Sequence, residues 1–120
     1  MNMEETTFYG LGRRKTATAQ VVIKLGSGNL TINDINGQQY LQNNLSYLQK
    51  IQRPLELVGV ETSYDILVKT NGGGLTGQTD AITLAVARAL IKLNLNNRTI
   101  LKSNGLLTRD SRIKERKNTV

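Results

Sequence analysis

Residues Gly72–Leu90 read GGGLTGQTDAITLAVARAL, three adjacent glycines and a fourth at Gly77 running into an apolar helical pattern. Upstream, Asp65–Lys69 (DILVK) has the composition of a strand within the run Tyr64–Thr70, so the stretch reads as strand, glycine turn, helix. Glycine reaches positive φ without steric cost and admits close approach of a backbone or a phosphate. A helix starting there aims free amide N–H groups at any anion in front of it. The plainer reading is a tight strand-to-helix turn, and at this point both stand.

Two nucleotide motifs fit the same glycines poorly. Gly72, Gly74 and Gly77 satisfy G-x-G-x-x-G, but the stretch about twenty residues on, where an acidic ribose ligand belongs, reads Asn94, Asn96, Asn97, Arg98. In the phosphate-loop pattern Gln78 occupies the lysine position, and a neutral amide supplies no charge to a transferred phosphate.

Downstream, Ile82, Val86, Leu90 and Leu93 share one face of a helix over Thr79–Leu95, with Arg88 and Lys92 on another side. Asn97 is positioned to cap a short further helix ending near Gly105. Upstream, Ala19, Val21, Ile23 and Leu25 alternate with their neighbours as a half-buried strand, and Gly26–Asn29 turns into Leu30–Ile32, which reads as a hairpin. Gly37–Val58, polar with spaced leucines, predicts short helices interrupted before Pro54.

The chain has 120 residues, enough for one core, with 16 Lys and Arg against 9 Asp and Glu, a net charge of +7. That balance favours a polyanionic partner, nucleic acid first. Neither Cys nor His occurs, which removes thiol nucleophiles, disulfides, the usual zinc ligands and the commonest general base. No apolar run approaches the roughly 18 residues of a membrane span. The opening MNMEETTFYG, with two glutamates and no Lys or Arg, resembles neither a signal nor a transit peptide, so use in the compartment of synthesis is expected.

Two basic segments flank the glycine loop in sequence. Arg13, Arg14 and Lys15 are consecutive, so on an extended chain at least one points away from the others. Arg109, Arg112, Lys114, Arg116 and Lys117 lie in a stretch whose only large aliphatic is Ile113. Solvated charge is the bland account of each. The division expected is a globular RNA-binding domain, 1–105, and a basic extension, 106–120. Five scattered aromatics make base-stacking platforms improbable and favour contacts to the backbone of folded RNA.

GRRKTATAQV, QRPLELV, GQTDAITLAVARAL and LLTRDSRIKERK together span most of the chain, and with them it resembles the family of the ninth protein of the small ribosomal subunit, bacterial and organellar form. The resemblance implies an α/β fold (α+β, two layers) like the second domain of the fifth small-subunit protein, with helices on one face of a small sheet. It implies no catalysis and no cofactor. The implied partners are 16S-type ribosomal RNA, in the 3′ major domain of the subunit head, and head proteins such as the seventh, tenth and fourteenth. By position, Arg13, Arg14, Lys15, Arg109, Arg112, Lys114, Arg116 and Lys117 match segments that lie against RNA, and Gly72, Gly73, Gly74, Gly77 and Gln78 match the family's loop. Family members continue with a tail resembling GLKKARKAPQFSKR that reaches the tRNA in the peptidyl site. This sequence stops at Val120, so tRNA contact carries over to none of its residues. The alternative class is a phosphate-binding enzyme akin to small-molecule kinases, using the loop Gly72–Thr79. Twelve Asn and nine Ile fit an AT-rich organelle genome, so a plastid ribosome is expected, with a bacterial cytoplasm as the alternative.

Overall fold

The computed structural model describes residues 7–107. The elements are β1 (Thr7–Arg14), β2 (Ala17–Leu25), β3 (Leu30–Ile32), β4 (Ile35–Asn36), α1 (Gly37–Tyr40), α2 (Leu45–Leu57), β5 (Tyr64–Asn71), α3 (Leu75–Leu93) and α4 (Asn97–Ser103). Five strands form one sheet in the order β1-β2-β5-β3-β4. Inward positions of β2 and β5 are apolar and alternate in period two: Ala17, Ala19, Val21 and Ile23 beside Ile66 and Val68. Against them lies α3, whose Ile82, Val86 and Leu90 are fully buried, with α2 packed alongside through Ile51 and Leu55. This is the two-layer α/β architecture expected. Helix α3 is buried nearly all round, since α2 covers the side that the sheet leaves free.

Three local features depart from what the sequence pattern shows. The first strand, β1, is an edge strand paired antiparallel with β2 along its full length, and the apolar pattern does not reveal it. Its buried positions are Gly10 and Gly12, while Tyr9 and Leu11 point out. A Cβ on Gly10 would stand 2.0 Å from the Ala85 carbonyl oxygen, and one on Gly12 2.1 Å from that of Ala81, so the glycines let α3 sit directly on the strand.

Second, β2 and β3 are not a hairpin. β5 lies between them, antiparallel to β2 and parallel to β3. The connection Gly26–Asn29 passes over the start of β5, where Asp65 Oδ1 accepts from the backbone N–H groups of Ser27 (3.0 Å), Gly28 (3.1 Å) and Asn29 (2.9 Å). The bond from Asn29, then that from Ser27, with further help from Gly28 and the charge of Lys24, holds the Asp65 carboxyl below its ordinary range. A lowered folded-state pKa contributes stability that is complete above the unfolded value and lost as pH falls through the folded one. As pH falls below the ordinary carboxylate value of 3.8, the parent protein should therefore lose stability more steeply than Asp65→Ala, as read by urea unfolding at each pH. Parallel curves in that window would remove Asp65 as the anchor of the crossing.

Third, α2 runs straight through Pro54. The ring, fully buried, takes a core position, so packing outweighs the missing N–H and the clash with the carbonyl of Lys50. Helix α4 ends before the turn at Gly105 (φ 78), as expected, but Asn97 does not cap it: the N-cap is Asn96, without a side-chain bond, and Asn97 lies in the first turn with its Nδ2 donating to the Leu90 carbonyl at 2.8 Å. Leu106 and Leu107 pack, half-buried, against the core. Among the described residues no helix is long and apolar enough to cross a membrane.

Candidate nucleic-acid interface

The hairpin tip, the glycine loop and the end of the described chain meet at one end of the domain. Arg13 and Arg14 close β1, and Lys15 follows in the two-residue connection to Ala17, its φ of 57 in the left-handed region uncommon for a side chain of this kind. The three cations diverge, as alternation requires. Arg13 is exposed on the outward row with Leu11; Arg14 turns to the helical side; Lys15 is exposed at the tip.

Arg14 Nε lies 3.5 Å from Asp80 Oδ2, and Lys50 Nζ donates to Asp80 Oδ1 at 2.6 Å. One carboxylate on α3 thus fixes a cation from the hairpin and another from α2. Tyr47 and Thr76 bring their hydroxyls to 2.6 Å one turn earlier along the same helix seam. Local sequence patterns carry no signal for Lys50 or Asp80, because their pairing depends on which turns of α2 and α3 face each other. Exposed or half-exposed ion pairs of this kind stabilise by less than about 1 kcal/mol each, so their effect is to hold Arg14 in position.

Gly72 (φ 85) and Gly73 (φ 61) occupy the left-handed region, which a side chain would strain. At Gly72 the close neighbour belongs to the chain itself: a Cβ would stand 2.0 Å from the Thr16 carbonyl oxygen. Gly74 has ordinary backbone angles and open space around it, and as N-cap it has no side chain to cover the first amides of α3. Gln78 is buried. Its Nε2 donates to the Gly72 carbonyl at 3.1 Å and its Oε1 accepts from the Tyr40 hydroxyl at 2.7 Å, tying the loop to α1. Asn33 extends this network by bonding both backbone groups of Thr70 at 2.9 Å.

A shallow depression is lined by Arg13, Arg14 and Lys50 together with Gly105 and Leu106; a second, lined by Lys15, Gly73, Gly74 and Gly77, adjoins it across Arg14 and Asp80. The segment holding Arg109, Arg112, Lys114, Arg116 and Lys117 lies outside the described residues.

Fold and charge define the class: a small two-layer α/β domain with exposed cations and open helix amides gathered at one end. The family follows from comparison. Residues 12–120 match the model of "Ribosomal protein S9/S16". The chain is 54% identical, over 95% of its length and 83% of the relative's, to the small ribosomal subunit protein uS9 of Thermosynechococcus vestitus. To uS9c of Gracilaria tenuistipitata var. liui it is 54% identical, with 92% of this chain and 80% of the relative covered. To uS9c of Spinacia oleracea it is 53% identical over 92% of this chain and 53% of the relative. The chain belongs to the ribosomal protein S9 family. Nothing in these matches supports the kinase-like alternative.

Proposed function

We propose that this chain is a non-catalytic structural constituent of the small ribosomal subunit that binds 16S-type ribosomal RNA of the 3′ major domain, in the head, through its cationic end. The observation carrying the reading is the convergence at that end of Arg13, Lys15, the exposed Gly73 and Gly74, and the point from which the basic segment departs. Arg13 and Lys15 grip phosphates, while Gly73, Gly74 and Gly77 let a sugar–phosphate backbone approach the uncapped start of α3. Gly72, Gln78 and Arg14 act one step back: Gly72 and Gln78 shape the loop, and Arg14 is positioned by Asp80. Arg109, Arg112, Lys114, Arg116 and Lys117 extend the contact along RNA, from an extension at 106–120 seated on the core by Leu106 and Leu107. Head proteins are the neighbours. The plastid ribosome is the proposed location, supported by the uS9c relatives and the Asn and Ile bias, with bacterial relatives favouring a bacterial ribosome equally by identity.

The test is Arg13→Ala combined with Lys15→Asn, the asparagine chosen because it tolerates the left-handed backbone at that position. Affinity for a transcribed 3′ major domain fragment should fall about tenfold or more and the salt slope should shrink by roughly one to two. Stability should change by less than about 0.5 kcal/mol. Parental affinity in a folded double variant would move the RNA surface elsewhere.

A further inference from the structure

The sheet face opposite α3 carries an apolar patch that no described element covers. Register places Tyr9, Val22 and Leu67 side by side in one row across β1, β2 and β5, and Leu11 in the next row. Tyr9 is 58% exposed and Leu11 63%. A solvated sheet face ordinarily takes polar side chains at such positions, and a contiguous apolar patch with a polar rim marks a partner. The rim here is cationic: Lys24 and Lys69 project from the same face. Asp65 is the single acid on these rows, and its Oδ1 is already occupied by three amides.

We propose that this face docks another protein of the small subunit, through a segment that presents aliphatic side chains flanked by carboxylates. The inference rests on the ribosomal reading above and concerns a surface separate from the glycine loop. RNA is disfavoured as the occupant, because three of the four central residues are aliphatic and offer no platform for stacking a base. Burial of Leu11, Val22 and Leu67 gains free energy only against apolar matter. An aromatic anchor among aliphatics, ringed by charge, is the anatomy of a protein–protein contact. A second copy of this chain is disfavoured too, since it would set Lys24 and Lys69 against their own counterparts.

The test uses p-benzoylphenylalanine placed at Leu11, and separately at Tyr9, where it keeps an aromatic ring. The full-length variants replace the parent in cells, and purified small subunits are irradiated; position Lys102, exposed on α4, serves as reference. The expected result is a nuclease-resistant adduct from positions 9 and 11, at least tenfold above that from 102. Its peptide should come from a second small-subunit protein and carry Asp or Glu within a few residues of the cross-linked aliphatic. A nuclease-sensitive adduct, an adduct to residues 1–6 of the same chain, or no adduct in subunits that contain the variant would each overturn the proposal. Exclusion of the parent chain itself from small subunits would overturn the ribosomal reading, and this inference with it.

Discussion

Gly12→Ala is expected to lower the unfolding free energy by about 3 kcal/mol, the upper end of what overpacking costs, and the thermal midpoint by on the order of 10–20 °C. The new Cβ would lie 2.1 Å from the Ala81 carbonyl oxygen and 2.8 Å from the Ala85 amide nitrogen. Both atoms are main chain of α3, so no rotamer change relieves the overlap. The helix must lift from β1, and Ile82 and Ala85, each fully buried, lose contacts as it does. Gly74→Ala serves as the matched comparison, having open space around it and a φ of −105, and should stay within about 0.5 kcal/mol of the parent. Urea unfolding of the three proteins decides the matter: a Gly12→Ala loss below about 1 kcal/mol would mean that α3 does not rest on the strand as described.

The second large effect concerns salt. Affinity for the transcribed head fragment should fall about a thousandfold between 50 and 200 mM monovalent salt, as expected for six or more phosphate contacts. Arg13, Lys15 and the five cations from Arg109 to Lys117 are enough to supply them, on a chain whose net charge is +7. Each contact releases condensed counter-ions, so a log–log slope near −5 or steeper is the signature. Titrations at four or more salt concentrations give the slope directly. A slope shallower than about −2 would leave most of these cations facing solvent and would assign the affinity to the glycine loop and neutral contacts.

How far the sequence was legible depended on where the determining contacts lay. The segment from Tyr64 to Leu93 was readable because strand, glycines and helix each follow a local rule, and the two-layer class followed from it. Strand β1 was hidden for a specific reason. Its inward positions are glycines and its outward ones Tyr9 and Leu11, an inversion of the usual pattern that arises because a helix backbone occupies the space where side chains would sit. Gly26–Asn29 announced a turn correctly but could not say which strand comes next, since β3 pairs with β5, whose Asp65, 36 positions from Asn29, accepts from the connection. Pro54 was misleading because a local penalty is offset by a buried site that only the folded core defines. At the candidate interface the cations and the glycine loop were all visible one by one. Their convergence, and the commitment of Arg14 and Gln78 to internal bonds, required the tertiary structure.

The crossing order of the sheet also sets a schedule for the growing chain. Thr18 on β2 meets Asn71 on β5 at a separation of 53 residues, and α3, which covers both, comes later still. Strands β1 and β2 can pair as soon as they are made, yet Ala19, Val21 and Ile23 have nothing to bury against until synthesis has passed Leu93. Local pairing is rapid, whereas closure over long separations waits on the missing sequence. For most of its synthesis the nascent chain therefore carries an unsealed hairpin whose apolar face waits for α3.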